Sequence, residues 1–322
     1  MIKNEVLHLL EKSNGEYLSG SRIADLLGVS RTAVWKAVCA LEKEGYLFEK
    51  STRNGYKLKG SKALSLYGVK KYLKNTDVRE VEFFEEITST NTYLMERGAK
   101  GEKEGLLVVA KRQTSGRGRR GKTFFSPNGG AYFSLLLRPQ KDYVGTSYLT
   151  VMTALAVMDA IRETYGIEAG IKWVNDVYIG SKKVAGILTE ASFDYESGAV
   201  SHVVIGVGIN LEKPKGGFPK EIKNIACALE KEIDDGANKL IATAVNNLME
   251  NVRRFEKDQS FIMARYREAS VILGRKIMVI RDGIEAPAVA HAITDEGHLI
   301  VRYPFGEEEE LYFGEVSLCL NE

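Results

Sequence analysis

The chain is poor in residues that bind metals or build disulfide frameworks: its 322 residues include only 3 Cys and 4 His. Cys39, Cys227 and Cys319 are widely scattered, odd in number and without a C-x-x-C pair or a histidine at metal-ligand spacing. This argues against a disulfide scaffold or a zinc module and reads as small buried thiols in a reduced compartment. Runs of about 18 apolar residues are also missing, so no bilayer-spanning helix is expected. Met1 to Glu5 do not open a basic segment followed by an apolar stretch and a small-residue cleavage site. The expectation is a soluble cytoplasmic protein with no membrane partner. Charge of one sign is lacking too, since 45 Lys+Arg against 43 Asp+Glu leave a net +2. Such balance argues against a surface that coats nucleic acid or membrane as a whole and leaves room for local patches.

What is present is ordinary globular composition, 44% hydrophobic and 27% charged, at a length that suits about two or three domains. Val6, Leu9 and Leu10 fall at helical spacing. After the polar break Ser13-Asn14-Gly15, a second helix carries Ile23, Leu26 and Leu27 inward and ends at Gly28. Ser30 is placed to cap a third helix with Val34, Val38 and Leu41 inward and Gly45 as its stop. Two helices joined by Leu27-Gly28-Val29-Ser30 make a helix-turn-helix pattern. Its outward face offers Ser30, Arg31, Thr32, Trp35 and Lys36, the positions that meet base edges when such a helix enters a major groove. A hairpin at Asn54-Gly55 follows as a wing bearing Lys50, Arg53 and Lys57 for phosphates. Residues 1–60 hold 10 Lys+Arg against 7 Asp+Glu, so a solvated packing module is the bland alternative to DNA binding. Gly60-Ser61-Lys62 reads as the linker out of this domain.

In the middle of the chain, a buried strand from Leu106 leads into Gly116-Arg117-Gly118-Arg119-Arg120-Gly121. Between Lys111 and Lys141 there are eight Lys+Arg and no acidic residue. The G-x-G-x-x-G match, with Asp142 at about the expected distance, raises a dinucleotide fold. That fold needs a helix after the third glycine, and Phe124-Phe125-Ser126-Pro127-Asn128-Gly129-Gly130 is strand and turn material leading to a strand from Ala131 to Leu137. The arginines therefore present their own forks to a phosphate or carboxylate, unless the loop is simply a basic surface loop. Downstream, Gly170 to Ile179 is a strand interrupted by Asn175-Asp176, followed by a strand containing Lys183 and Gly186. Charged groups amid apolar strands are costly unless paired or facing a cleft. Another strand, Val203 to Ile205, ends in Gly206-Val207-Gly208-Ile209-Asn210.

Ser89-Thr90-Asn91, Gln113, the glycine-arginine loop with Ser126-Pro127, Lys172-Trp173-x-Asn175-Asp176, Lys183-x-Ala185-Gly186-Ile187 and Gly206-x-Gly208-Ile209-Asn210 stand in one order. With the amino-terminal module, the whole chain resembles the biotin protein ligases that carry a winged helix-turn-helix. The resemblance implies an α+β chain of three domains. These are a winged helix-turn-helix over 1–62, a central mixed-sheet catalytic domain of the biotin/lipoate ligase type over 63–270, and a small SH3-like β-barrel over 271–322. It implies that biotin and ATP form biotinyl-5'-AMP, which acylates a lysine of the biotin carboxyl carrier protein. It also implies repression of biotin genes at their operator DNA, with biotinyl-5'-AMP as corepressor and ligand-promoted homodimerisation. Two departures are visible: Val174 stands where the family has Pro, loosening the turn that holds Asn175, and Phe124 stands where it has Trp, keeping an aromatic face without the indole N–H.

By carry-over, Arg117 closes over biotin, Arg119 serves the phosphate and Lys183 neutralises charge where carboxylate and phosphate meet. Asp176 is the candidate for Mg²⁺. Ser89, Thr90 and Gln113 face the ureido ring, with Ser89-Thr90 also readable as an N-cap, Asn91 joins them in binding biotin, and Gly116, Gly186 and Gly206 let the backbone approach it. Arg120, Phe124, Lys172, Asn175 and Asn210 complete the nucleotide set. No residue stands out as base for the acceptor lysine. The rival functions are a biotin-sensing repressor without turnover and a lipoate ligase. Intact Arg119, Asp176 and Lys183 favour catalysis over sensing, and the glycine-arginine loop favours biotin over lipoate. Past a helical stretch containing Leu240, Ala244, Leu248 and Phe255, short strands from Arg275 are divided by turns at Asp282-Gly283 and Asp295-Glu296-Gly297. Glu307 to Glu310 reads as a solvated turn, and His291 and His298 carry no assigned chemistry.

Overall fold

The computed structural model describes residues 2–13, 15–61, 63–74, 77–139, 146–194, 198–281, 284–312 and 314–318. The chain folds into two units, Met1–Tyr72 with Glu232–Lys239, and Leu73–Lys231 with Leu240–Glu322.

The first unit opens with α1 (Ile2–Lys12), α2 (Gly20–Leu27) and α3 (Arg31–Lys43). Ser19 Oγ accepts from Arg22 N to start α2, Gly28 ends it at φ 64°, and Ser30 Oγ accepts from Ala33 N to start α3. The apolar stripes of the three helices meet in a core of Val6, Leu10, Ile23, Val34, Val38 and Leu41. Leu26 departs from the expected inward face and is 56% exposed, because the stripe of α2 runs through Ile23, Ala24 and Leu27. Strands β1 (Tyr46–Ser51) and β2 (Gly55–Ser61) pair antiparallel as the expected wing, with Gly55 at φ 96° and its position closed to a Cβ by the Leu18 backbone.

The expected linker begins one step too early, since Gly60 and Ser61 belong to β2 and are buried, while Lys62 lies outside the described residues. Helix α4 (Leu66–Tyr72) follows. Buried Asp235 accepts from Ser61 N at 2.6 Å, Lys71 Nζ at 2.9 Å and Tyr72 OH at 3.0 Å. Asn238 accepts from Ser65 N at 2.9 Å and donates to Ser61 O and Ala63 O. The segment after the wing is therefore stapled rather than free.

In the second unit, the elements are β3 (Glu80–Phe84), α5 (Thr90–Ala99), β4 (Leu106–Ala110), β5 (Gly130–Leu137), α6 (Thr146–Tyr165), β6 (Gly170–Lys172), β7 (Asp176–Ile179), β8 (Lys182–Phe193) and β9 (Val200–Asn210). One seven-stranded sheet runs β3-β4-β5-β9-β8-β7-β6, parallel at β3–β4 and antiparallel elsewhere. β4 and the stretch from His202 to Asn210 are buried throughout, which explains runs of Leu, Val and Ile without alternation. β9 continues unbroken through Gly206 to Asn210, past the end expected at Ile205. Helices α5 and α6 pack on this sheet. Helix α7 (Gly236–Phe255) contains the expected stretch, with Leu240, Ala244 and Leu248 buried, and α8 (Gln259–Glu268) follows.

The C-terminal strands β10 (Lys276–Arg281), β11 (Ile284–Ile293), β12 (Leu299–Arg302), β13 (Glu308–Leu311) and β14 (Glu315–Leu318) form an antiparallel sheet in the order β13-β12-β11-β10-β14. Among the described residues its end strands β13 and β14 do not pair, so the sheet is open where a barrel was expected. The turn at Asp282-Gly283 falls outside the described residues. Glu308 to Glu310 are strand rather than turn and are engaged by Arg302, Arg281 and His298. Cys39 and Cys227 are half-buried free thiols rather than fully buried ones, and Cys319 lies outside the described residues. No described helix is long and apolar enough to cross a membrane.

Candidate active site and nucleic-acid interface

A cavity of about 270 Å³ in the second unit collects nearly every residue that the motifs singled out. Its lining includes Ser89, Thr90, Asn91, Gln113, Arg117, Arg119, Arg120, Phe124, Lys172, Asn175, Asp176, Lys183, Gly186, Gly206 and Asn210. Gly116 is buried and outside the lining, and Gly121, Ser126, Pro127, Ala185 and Ile209 of the quoted motifs also fall outside it.

Two chemistries share this space. The first is neutral and densely hydrogen-bonded. Ser89 caps α5 by accepting from Thr92 N, which places Thr90 and Asn91 on the first helical turn. Thr90 N and Oγ1 donate to Gln113 Oε1 at 2.8 and 3.2 Å, and Gln113 Nε2 donates to Ser126 Oγ at 3.0 Å. Ser134 Oγ, fully buried on β5, lies 2.7 Å from Thr90 Oγ1 and 2.6 Å from Asn91 Oδ1. A Cβ at Gly206 would stand 1.8 Å from Asn91 Oδ1, so this glycine makes room for the Asn91 amide. Gly116 likewise accommodates Phe124 O and Ser126 Oγ, each 2.4 Å from where its Cβ would stand.

The second chemistry is charged. The turn between β6 and β7 carries Asn175, whose Nδ2 donates to Ile187 O at 2.8 Å while its backbone O accepts from Ile187 N at 2.9 Å. Both bonds tie Asn175 itself, by side chain and by backbone, to Ile187 on β8. Arg119 Nη1 donates to Asn175 Oδ1 at 3.2 Å. Lys183 Nζ pairs with Asp176 Oδ1 at 2.6 Å and sits 5.6 Å from the Phe124 ring centroid. The Phe124 ring covers Gly208, where a Cβ would meet it at 2.4 Å, and approaches the site of a Gly186 Cβ at 3.1 Å. Lys172 lies over Tyr178, 5.4 Å from its centroid, and Asn210 Nδ2 donates to Cys227 O at 3.0 Å. Burial pushes the Cys227 thiol up, so this cysteine is not a poised thiolate.

The glycine loop has no helix after its third glycine, as expected. It folds back on itself through Phe124 N to Gly116 O, Gly118 N to Lys122 O and a single 3-10 turn over Arg119–Gly121. Arg120 at φ 55° and Gly121 at φ 73° make the reversal. Arg117 reaches β8, where Glu190 Oε1 lies 2.9 Å from its Nη2.

Sequence reasoning missed Ser134 and Glu190, as well as the lining residues Phe218, Ile222, Ile225, Gly314 and Val316, and it quoted Trp173 in a motif without giving it a role. Trp173 is held by its Nε1 donating to Gly297 O at 2.9 Å. Val316 comes from β14 of the C-terminal sheet and Gly314 immediately precedes that strand, which no motif connects to the loop. Among the described residues, no group of three or more His, Cys, Asp and Glu side chains could hold a metal.

In the first unit, the N-cap Ser30 and Arg31, Thr32, Trp35 and Lys36 on α3 are all exposed, and Arg53 is exposed at the wing tip. Trp35 is 54% exposed, an indole that the three-helix core leaves outside.

Residues 83–210 match the biotin/lipoate A/B protein ligase family, and residues 3–57 match an HTH domain. The chain is 38% identical over 236 residues to the bifunctional ligase/repressor BirA of Bacillus subtilis, covering 71% of each chain. It is 28% identical over 309 residues to the protein of the same name from Escherichia coli, covering 95% of this chain and 94% of that one. The biotin protein ligase from Aquifex aeolicus, solved with biotin and ATP, superposes with a TM-score of 0.63 at 28% identity. That match covers 74% of this chain and 98% of the other.

Proposed function

Because the chain belongs to the biotin/lipoate A/B protein ligase family, we propose that its cavity activates biotin with ATP and that its helix-turn-helix unit represses transcription. The observation that carries the reading is that one cavity joins a neutral polar set, Ser89, Thr90, Asn91 and Gln113, to a cationic set, Arg117, Arg119 and Lys183. Biotin has the same division, with a neutral ureido ring at one end and a carboxylate at the other.

A carboxylate with an ordinary pKa of about 4.3 is ionised at neutral pH, so the first step needs no general base. Its oxygen attacks the α-phosphorus of ATP, the bond from that phosphorus to the α,β-bridging oxygen breaks and pyrophosphate leaves with that oxygen. Repulsion between two anions is the main obstacle, and cations fixed at the meeting point lower it. Lys183 and Arg119 do this, while Arg117 holds the ligand and Asn175 and Asn210 orient the nucleotide with Arg120, Phe124 and Lys172. The carrier's lysine amine then attacks the acyl carbon of biotinyl-5'-AMP and AMP leaves.

Mg²⁺ suits this donor set only as an ion shared with the nucleotide, since it needs few protein ligands and Asp176 is the carboxylate beside Lys183. When bound it would neutralise phosphate charge further.

The partners are the biotin carboxyl carrier protein and, through Ser30, Arg31, Thr32, Trp35, Lys36 and Arg53, operator DNA of biotin genes, with biotinyl-5'-AMP as corepressor. Paired operator half-sites call for a dimer. An edge supports one: from Leu188 to Phe193, β8 pairs with β9 on one side while its pairing with β7 ends at Gly186. The open C-terminal sheet is read as the SH3-like cap, and the place of work as the cytoplasm. Biotin-dependent exchange of labelled pyrophosphate into ATP tests the activation step; no exchange by folded protein would refute it.

A further inference from the structure

The glycine loop is anchored from behind the cavity by a carboxylate that no motif marks. Glu190 pairs with Val204 across β8 and β9 and stands outside the set of lining residues. Its Oε1 lies 2.9 Å from Arg117 Nη2, and its Oε2 accepts from Arg117 Nη1 at 3.3 Å and from Asn91 Nδ2 at 3.0 Å. From Asn91 the hydrogen bonds continue through Ser134 to Thr90, from Thr90 to Gln113, and from Gln113 to Ser126. Ser126 Oγ donates to Phe124 O at 2.8 Å, and Phe124 N closes on Gly116 O. Both feet of the loop and the neutral wall of the cavity thus belong to one network, and Glu190 is where the arginine enters it.

We propose that Glu190 is a positioning residue for biotin activation, holding Arg117 and the Asn91 amide in the geometry the ligand meets. The role rests on the reading of the cavity given above. An arginine that is 48% exposed on a glycine-rich loop would otherwise have to be ordered at the moment of binding. Glu190 engages one N–H on each terminal nitrogen, which leaves the remaining guanidinium donors for an anion. The contact requires a carboxylate, because both oxygens accept. A glutamine there would turn an N–H toward Arg117 in either orientation of its amide, and toward Asn91 as well in one of them, and both partners are already donors.

The test uses the full chain as wild type, Glu190→Gln, Glu190→Asp, Arg117→Ala and the double variant Arg117→Ala/Glu190→Gln. Amide hydrogen exchange over Gly116 to Phe124 in ligand-free protein reads the anchor without any substrate. Glu190→Gln is expected to speed it about threefold or more; unchanged exchange overturns the anchor. In pyrophosphate exchange, Glu190→Gln is expected to raise the KM for biotin roughly three- to tenfold with kcat within about twofold. Glu190→Asp restores part of the loss, and the double variant loses less than the sum of the two single losses, because only the Asn91 contact is left for Glu190→Gln to remove once Arg117 is gone. Fully additive losses, or a fall in kcat and melting temperature alongside KM, would show a merely structural residue. Wild type that shows no biotin-dependent exchange would overturn the ligase reading instead, while the hydrogen-exchange result still decides whether Glu190 anchors the loop.

Discussion

Lys183 and Asp176 face each other at 2.6 Å across the β7–β8 hairpin. Their strands are in a register that pairs Asp176 with Gly186 and Tyr178 with Lys183, and Gly186 leaves the space that the lysine's terminal atoms enter. A Cβ at Gly186 would stand 2.9 Å from both Lys183 Cε and Nζ. The cation is thereby kept at the cavity beside an aromatic face and a carboxylate.

Lys183→Ala is expected to slow biotinyl-5'-AMP formation about 10²- to 10³-fold in a single-turnover assay, the usual cost of removing a preorganised charge. The pair is partly exposed, so its loss changes folding stability by no more than about 1 kcal/mol. Normal adenylation would remove Lys183 from the mechanism.

Gly206→Ala tests the neutral wall. A methyl group 1.8 Å from Asn91 Oδ1 must displace that amide and break its contact with Ser134. The expected outcome is a KM for biotin raised about tenfold or more, with a smaller effect on the KM for ATP, measured by pyrophosphate exchange. An equal effect on both substrates would place Asn91 elsewhere in the site.

These contacts mark the limit of what the sequence discloses. The caps at Ser19 and Ser30, the stop at Gly28 and the wing turn rest on short-range chemistry, and Ser30, Gly28 and the wing turn could be read from residue order. The glycine loop's lack of a following helix was legible for the same reason. Ser134 and Glu190 were not, because each looks like a strand residue in its own segment and acquires its role only when β5 and β8 are brought to α5 and the loop. Gly206 was legible as a close approach, but what approaches it in this structure is Asn91. Leu26 misled because apolar spacing on a short helix does not say which neighbours cover it, and Gly60-Ser61 misled because a Gly-Ser pair looks like a linker until Asp235, far along the chain, binds it.

Arg31→Ala is expected to weaken operator binding with biotin activation unchanged, since the residue lies in the first unit and the cavity in the second. Arg53→Ala should weaken binding to all DNA sequences alike and reduce the slope of log K against log salt by about one. Fluorescence anisotropy across a salt series distinguishes the two; an unchanged affinity in both variants would remove DNA binding from this face.

Burial pushes the Glu11 carboxyl up to about 7, against the pull of Lys70. An acid whose folded value is raised contributes its stability fully below the ordinary 4.5 and loses it as pH rises through 7. Glu11→Gln should therefore match wild type near pH 4 and exceed it at pH 8, by something on the order of 1 kcal/mol once solvent screening is allowed for. Thermal melts at the two pH values check this, and a variant less stable at pH 8 would contradict it.

Asn238→Ala removes one acceptor and two donor contacts from the buried segment after the wing, leaving Ser65 N, Ser61 O and Ala63 O without that partner. A loss of about 2–3 kcal/mol in stability is expected from denaturant unfolding. A change under about 0.5 kcal/mol would show that the segment is not held there.

The most direct measurement is the mass of a biotin carrier domain after incubation with this protein, biotin and Mg-ATP. A shift by one biotinyl group on a single lysine is expected, requiring both ATP and biotin and lost in Lys183→Ala. An unshifted carrier, in the presence of protein shown to be folded, would contradict it.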